Sequence, residues 1–329
     1  MGYLIKSTSG ELSILIHRVD VDKALKNPKI TEEEKRKISL AQETRAFAET
    51  EMHLVASKSY STYVILDRPY VSYVVSAASK WSLQHRTWSF PFVGQVPYKG
   101  FFNENDAKEE VKDLQAEGFD TYLRGVSAFS TLGWFNDPLL SSMMHGPDHE
   151  LVNTIIHETT HATLYIKNSA DFNERLAVFV GNLGTEKFYA AKEGPNSVTV
   201  RKIHQENEDE KLFSEFISSE IQILDAWYKS NPPQDEQLRS QKFKDLQNKF
   251  RLNILPKMQT ENYSRFGEIP LNNARLLVYK TYVADLSLFQ QLYELSHQDM
   301  KIFLDHCKSL QSHPMPELGL KEMIQKLKS

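Results

Sequence analysis

The chain is poor in cysteine: Cys307 is the only one in 329 residues, so no disulfide can close within it. Cys307 lies among Ile302, Phe303 and Leu310 and reads as a small core residue. No run of 18 apolar residues occurs, which excludes a transmembrane helix of ordinary length. The first residues, Met1-Gly2-Tyr3-Leu4-Ile5, carry no charged segment followed by a long apolar one, so no signal peptide is expected. Nor do Ser7 and Thr8 stand where a myristoylation signal needs them. The net charge of −4 gives no electrostatic reason to bind nucleic acid. Glycine and proline number 13 each, and neither occurs between residues 151 and 180, so nothing there breaks a helix. Internal repeats and low-complexity tracts are also lacking. What remains is a composition of 40% hydrophobic and 25% charged residues, ordinary for a globular protein with one large core or two smaller ones.

That unbroken stretch contains His157-Glu158-Thr159-Thr160-His161, an H-E-x-x-H motif. Histidines at i and i+4 lie about 40° apart around a helix and can grip one metal ion together. Glu158 sits about 100° round from His157, near enough to a water on that metal to act as base. Apolar residues at 152, 155, 156 and 162 suit a half-buried helix. Asn168, Ser169 and Asp171 read as a turn, with Asp171 or Asn173 as cap of the next helix. Two helices joined by a short turn pack antiparallel, which would bring Glu174 to the histidine pair. Two imidazoles, one carboxylate and an open position make the site of a zinc hydrolase: metal ligands His157, His161 and Glu174, catalytic base Glu158, and one Zn2+. Asn153, Asn173 and Asp171 are nearby candidates to orient the ligand imidazoles. His145 and His149 flank Pro147 and are weaker candidates for the cleft.

Three segments carry a resemblance. One is Ile156-His157-Glu158-Thr159-Thr160-His161-Ala162-Thr163-Leu164-Tyr165 with Phe172-Asn173-Glu174. The second is Ala128-Phe129-Ser130-Thr131-Leu132-Gly133-Trp134-Phe135-Asn136-Asp137-Pro138, and the third Pro270-Leu271-Asn272-Asn273-Ala274-Arg275. The run Phe92-Val93-Gly94-Gln95-Val96-Pro97-Tyr98-Lys99-Gly100 adds to them. On these the chain resembles the bacterial family of predicted zinc aminopeptidases of the gluzincin type, from about residue 40 to 290. Thr159 and Thr160 stand where that family more often has apolar or small residues. The resemblance implies a peptide substrate and aminopeptidase activity, and a periplasmic or membrane-attached lipoprotein, although no signal is visible in this chain. It implies a tyrosine or histidine donor for the oxyanion, for which Tyr282 and Tyr279 are the candidates, ahead of Tyr165 and Tyr122. It also implies an edge strand along which the peptide lies, read here as Ser130, Thr131, Leu132 and Gly133. Asp137 is expected to cap a helix whose first residue is Pro138, with binding of a substrate's free amine as the alternative. No residue identifies itself as the amine anchor, so an endopeptidase is the nearest rival. A non-catalytic zinc-binding envelope or interaction protein is the reading from another class.

The remaining pattern places strands before the motif and helices after it. Thr31 and Glu34 form a capping box for a helix running to about Val55. Strands are expected at 60–66 and 70–75, joined as a hairpin by Asp67-Arg68-Pro69, then irregularly at 88–96 and again at 126–134. A helix at 106–117 ends at Gly118. Further helices are expected at 138–145, 151–167, 173–191, 205–229, 234–252, 271–294 and 298–310. The fold class is α+β: a zincin-like core with a small mixed sheet packed on the H-E-x-x-H helix, followed by a mainly helical C-terminal half. The expected organisation is a single peptidase unit over 1–329, with a mixed part at 1–167 and a helical part at 168–329 carrying the third ligand.

Overall fold

In the computed structural model, which describes residues 16–90, 94–128, 136–282 and 286–328 with the backbone alone at Tyr282, the Thr31 capping box forms as expected. Thr31 Oγ1 accepts from Glu34 N at 3.2 Å, and Glu34 Oε2 accepts from Thr31 N at 2.9 Å. The short helix α1 (Val21–Leu25) precedes it, and the box opens α2 (Glu32–Thr50), which stops five residues short of Val55. Glu34 Oε1 also accepts from the Tyr63 hydroxyl at 3.1 Å, tying the helix start to a strand.

Two three-stranded sheets follow. In the first, β2 (Thr62–Val64) pairs antiparallel with β1 (Val19–Asp20) and parallel with β8 (Leu139–Leu140). In the second, β3 (Ser72–Ser79) is central, antiparallel to β6 (Tyr98–Phe101) and to β7 (Phe119–Val126). The Asp67-Arg68-Pro69 hairpin is therefore a misreading: β2 and β3 belong to different sheets. The physical reason is burial. Six of the eight β3 residues are buried, and such a strand needs a partner on each edge. β4 (Trp88–Phe90) and β5 (Gly94–Val96) form a separate two-stranded ribbon.

Alternation along β3 serves two layers. Tyr73, Val75 and Ala77 pack on Ala107 and Leu114 of α3 (Glu104–Ala116). Ala78 points the other way, to Ala274 and Leu277 of α8 (Asn273–Tyr282). Helix α3 ends as the sequence reading expects, with Gly118 at φ +88°.

The helix expected at 138–145 does not form, and the short turn that stands in its place is preceded by Leu140 and not by Asp137. Leu139 and Leu140 instead pair with Tyr63 and Val64, where both are buried, and a single 3₁₀ turn follows at Ser141–Met144. Of the strand expected at 126–134, Val126 ends β7 and Ser127 and Ala128 lie beyond it; residues 129–135 lie outside the described residues.

Helices α4 (Asp148–Thr163), α5 (Ala170–Glu193) and α7 (Glu236–Lys249) follow the sequence pattern within about four residues, whereas α6 (Val198–Lys229) begins seven residues earlier than expected, with Ser197 as its cap. The helix expected at 271–294 stands as two, α8 and α9 (Ser287–Leu295), with Leu286 non-helical. Helices α10 (Met300–Ser309) and α11 (Pro316–Lys328) complete the chain. The principal core joins Ile38, Tyr63, Ile155 and Ile156 to Phe179, Phe289 and Phe303, so both halves of the chain contribute to it. Cys307 is buried in that core. No described helix is long and apolar enough to cross a membrane.

The segment Pro270-Leu271-Asn272-Asn273 has a clear structural task. Asn273 Nδ2 donates to Ser79 O (2.9 Å) and Lys80 O (3.0 Å), and its backbone N donates to Asp120 Oδ2 (2.9 Å). Its Oδ1 accepts from the Tyr228 hydroxyl (3.0 Å), and Asn272 Nδ2 donates to Thr121 O (2.9 Å). Arg239 completes the cluster on Asp120. Buried polar groups persist only when satisfied, and this network bonds α8 to the ends of β3 and β7.

Candidate functional site

The site begins with how α4 is held. Pro147 precedes its first turn, where three backbone N–H groups need acceptors and negative charge is favoured. Asp148 supplies that charge and is gripped by Arg36 of α2 through two bonds of 2.6 and 2.7 Å. Lys37, buried, reaches both Asp148 (3.6 Å) and the carbonyl of Gly146. The hydrogen bonds from Arg36 hold the Asp148 carboxyl below its usual range, against the opposing effect of partial burial. At the other end Leu164 N donates to Thr160 O at 2.9 Å, and a six-residue link leads to α5.

That link is fixed by two asparagines. Asn173 Oδ1 accepts from Ile166 N and its Nδ2 donates to Ile166 O, both at 2.8 Å. Asn168, itself at φ +62°, accepts from Gln95 N at 3.1 Å. Gly94 packs against it so closely that a Cβ there would lie 2.0 Å from Asn168 Oδ1. Gly94 at φ +83° thus answers both a backbone and a space requirement. Neither Asp171 nor Asn173 caps α5: its N-cap is Ser169, with no side-chain bond, and Asp171 accepts from the Thr281 hydroxyl at 3.0 Å.

Helices α4 and α5 then lie close together because α5 presents little bulk. A Cβ at Gly184 would stand 3.0 Å from two Ile156 carbons, and one at Gly181 3.2 Å from Asn153 Oδ1. The approach brings three side chains to one point. His157 Nε2 and His161 Nε2 are 3.2 Å apart, and Glu174 Oε2 lies 3.5 and 3.7 Å from them. A tetrahedral ion with bonds of about 2.0–2.2 Å needs its donors about 3.3–3.6 Å apart, so the set fits such an ion. Among the described residues this is the His/Cys/Asp/Glu group that could hold a metal ion. His161 and Glu174 are buried and His157 is half-buried.

The two glutamates experience opposite fields. Burial raises the Glu174 carboxyl, but hydrogen bonds from His157 and His161 overrule it and hold the group below the usual carboxylate range. Glu158 is pushed up to about 7, first by burial of its carboxyl end, then by the charges of Glu174 and Asp137, with His157 opposing. Asp137 is itself buried at the entrance to β8.

Other candidates go elsewhere. Asn153 Nδ2 donates to Asn182 Oδ1 at 2.9 Å, so none of Asn153, Asn173 and Asp171 orients an imidazole, and His161 Nδ1 is buried without a hydrogen-bond partner among the described residues. His149 Nε2 sits 2.9 Å from Glu206 Oε2, an ion-pair distance but off the hydrogen-bond axis. His145 is exposed, near Glu34. The Tyr279 ring packs on Phe213 and Phe266, with its hydroxyl toward Arg275. The Tyr282 side chain and Ser130, Thr131, Leu132 and Gly133 lie outside the described structure. Tyr165 is half-buried with its ring 6.5 Å from that of His161, and Glu174 acts on its hydroxyl. Sequence reasoning passed over Tyr60, whose buried hydroxyl feels the charges of Glu158 and Asp137. No spacing rule links residue 60 to 158; a tyrosine opening a strand pattern carried no signal.

Compared with known proteins, the chain matches a family model described as "Putative aminopeptidase" over residues 2–319. No curated protein and no solved structure matches it.

Proposed function

The chain belongs to this "Putative aminopeptidase" family, and from that premise we propose that it is a zinc-dependent peptidase that removes N-terminal residues from peptides. The observation that carries the metal in this reading is the convergence of His157 Nε2, His161 Nε2 and Glu174 Oε2 at separations of 3.2, 3.5 and 3.7 Å. These three side chains would hold the ion. A zinc ion so held supplies a Lewis acid and an activated water near neutral pH.

The chain's own groups then divide the work. Glu158, beside His157 in sequence and free of the donor set, accepts the proton of the attacking water and returns it to the departing amine. A group that must take and release one proton works best with a pKa raised toward the working pH, and burial moves the Glu158 carboxyl in that direction. Glu174, held ionised, stays a ligand and does not compete for the proton.

The test combines metal analysis with substrates of two kinds. The protein should contain one zinc per chain, hydrolyse aminoacyl-anilides, lose activity to a chelator and regain it with zinc. Cleavage of internally quenched peptides blocked at their N-terminus would favour an endopeptidase. Zinc present with both substrates untouched would reverse the catalytic reading.

A further inference from the structure

A cavity of about 140 Å³ lies where α4, α5 and α6 meet, with Asn262 and Tyr263 from the segment between α7 and α8 as a further wall. That segment is fixed to α6. Gln259 N (2.9 Å), Thr260 N (2.7 Å) and Thr260 Oγ1 (2.7 Å) all donate to Asp209, the residue before Glu210. Three glutamates line the cavity, Glu150, Glu206 and Glu210, and none of its described lining residues is a lysine or an arginine. Glu206 has the exposed Lys202 at 3.7 Å, a weak counter-charge. Glu210 pairs with no cation among the described residues. Its Oε2 accepts from Asn182 Nδ2 at 3.0 Å, and Asn182 Oδ1 accepts from Asn153 Nδ2 at 2.9 Å. Burial raises the Glu210 carboxyl, with the Asn182 bond opposing, and a cation beside it would favour its charged form. A separate observation comes from His149, which lines the same cavity and is 8% exposed. Its Nε2 is buried with no hydrogen-bond partner among the described residues, since Glu206 Oε2, 2.9 Å away, is off the bond axis. Buried polar atoms are rarely left unbonded. A neutral imidazole nitrogen accepts from an N–H donor.

We propose that this cavity binds a small organic cation, an ammonium or a guanidinium, with Glu206 and Glu210 as counter-charges and His149 Nε2 as an acceptor. Such groups carry N–H donors and no acceptor, which matches walls of carboxylates and an unbonded imidazole nitrogen. The size agrees: a cavity of about 150 Å³ takes a benzene ring, so one planar guanidinium with its first methylenes fits and a macromolecule does not. The site is distinct from the metal group. His149 and Asn182 stand eight helical residues from His157 and Glu174, a rise of about 12 Å along α4 and α5. About three or four residues of extended peptide cover that span. The cation is therefore either a basic side chain of a peptide substrate, which rests on the peptidase reading, or a free amine, which does not.

Calorimetry with butylguanidinium and with butylurea, its uncharged isostere, tests the site. The wild type should bind the cation about 10- to 100-fold more tightly than the urea, the range that hydrogen bonds to charged groups confer. Glu210→Gln and Glu206→Gln, each checked by thermal melting, should both reduce that ratio, and the double variant should abolish it. Equal affinity of the wild type for the two compounds, or binding of neither, would overturn the proposal. So would a ratio retained in both single variants, the mark of diffuse attraction to the surface. Peptides with arginine or norleucine scanned along an alanine chain then identify the source. A gain in kcat/KM for arginine at one position, lost in Glu210→Gln, assigns the cavity to a substrate side chain. No gain at any position, with butylguanidinium still bound, assigns it to a free amine. A wild type that cleaves no peptide overturns the peptidase reading, while the calorimetry judges the cavity by itself.

Discussion

The Glu158 carboxyl, raised to about 7, and the Glu174 carboxyl, held low by two imidazoles, both feel His157 yet shift in opposite directions, and the proposed mechanism gives them different work. Glu158→Gln should retain zinc and lose turnover by about 10²–10⁴-fold; a variant with wild-type turnover would remove the base from the mechanism. Glu174→Ala should weaken zinc binding by at least about 10–100-fold in a chelator competition, and unchanged affinity would strike it from the ligand set. Asn173, whose amide bonds both polar groups of Ile166, lies beside Glu174 and holds the link on which Glu174 depends. Asn173→Ala should destabilise by about 1–3 kcal/mol in urea unfolding, since buried backbone groups lose their partners. The histidine pair and Glu174 could be read from the sequence because i, i+4 spacing and one short link are local rules. The uses of Asn173 and Asp171 could not: both look like helix caps, and only the fold decides whether such a side chain bonds its own helix start, an earlier link, or Thr281.

Helix α4 is clamped at its start and crowded along its side, and each feature has a measurable counterpart. The Asp148 carboxyl sits below its ordinary 3.8, mainly through hydrogen bonds from Arg36. A carboxyl depressed on folding contributes stability that is complete above the unfolded value and fades as pH falls through the folded one. Asp148→Asn should therefore lower the urea midpoint at neutral pH, and the gap from wild type should close below about pH 4. A constant gap down to pH 2 would contradict the clamp. At Gly184 a side chain has no room against Ile156 and Met52. Gly184→Val should cost about 1–3 kcal/mol by overpacking and should loosen zinc by pushing Glu174 off the histidines; tighter zinc would speak against the close approach. Long helices were evident from their periodicity. The short elements were not: Asp67-Arg68-Pro69 reads equally well as a hairpin or as passage between two sheets, and Leu139-Leu140 as helix or bridge, because pairing partners are chosen by distant residues.

Viewed entire, the molecule joins a sheet with two helical layers to a helical assembly through buried polar groups. Asp120 and Arg239 are nearly sealed, so Asp120→Asn would leave Arg239 with Glu236 as its counter-charge and should destabilise in thermal unfolding by less than the about 3–5 kcal/mol that a fully stranded charge costs. The mixture of small sheets with helices, and the helical second half, followed from where strand and helix patterns cluster along the chain. The lock could not be foreseen, since its members lie at 79, 120, 228, 239 and 273 and meet only after folding. Helix α8 carries one further consequence. Its first residue, Asn273, is bolted to the sheet, and Thr281, near its far end, is bolted to Asp171, three residues before Glu174. Ten helical residues make a stiff rod of about 15 Å. A substitution in the sheet core that moves the start of this rod is therefore expected to disturb the Thr281–Asp171 bond at its other end, three residues from the carboxylate that faces the histidines.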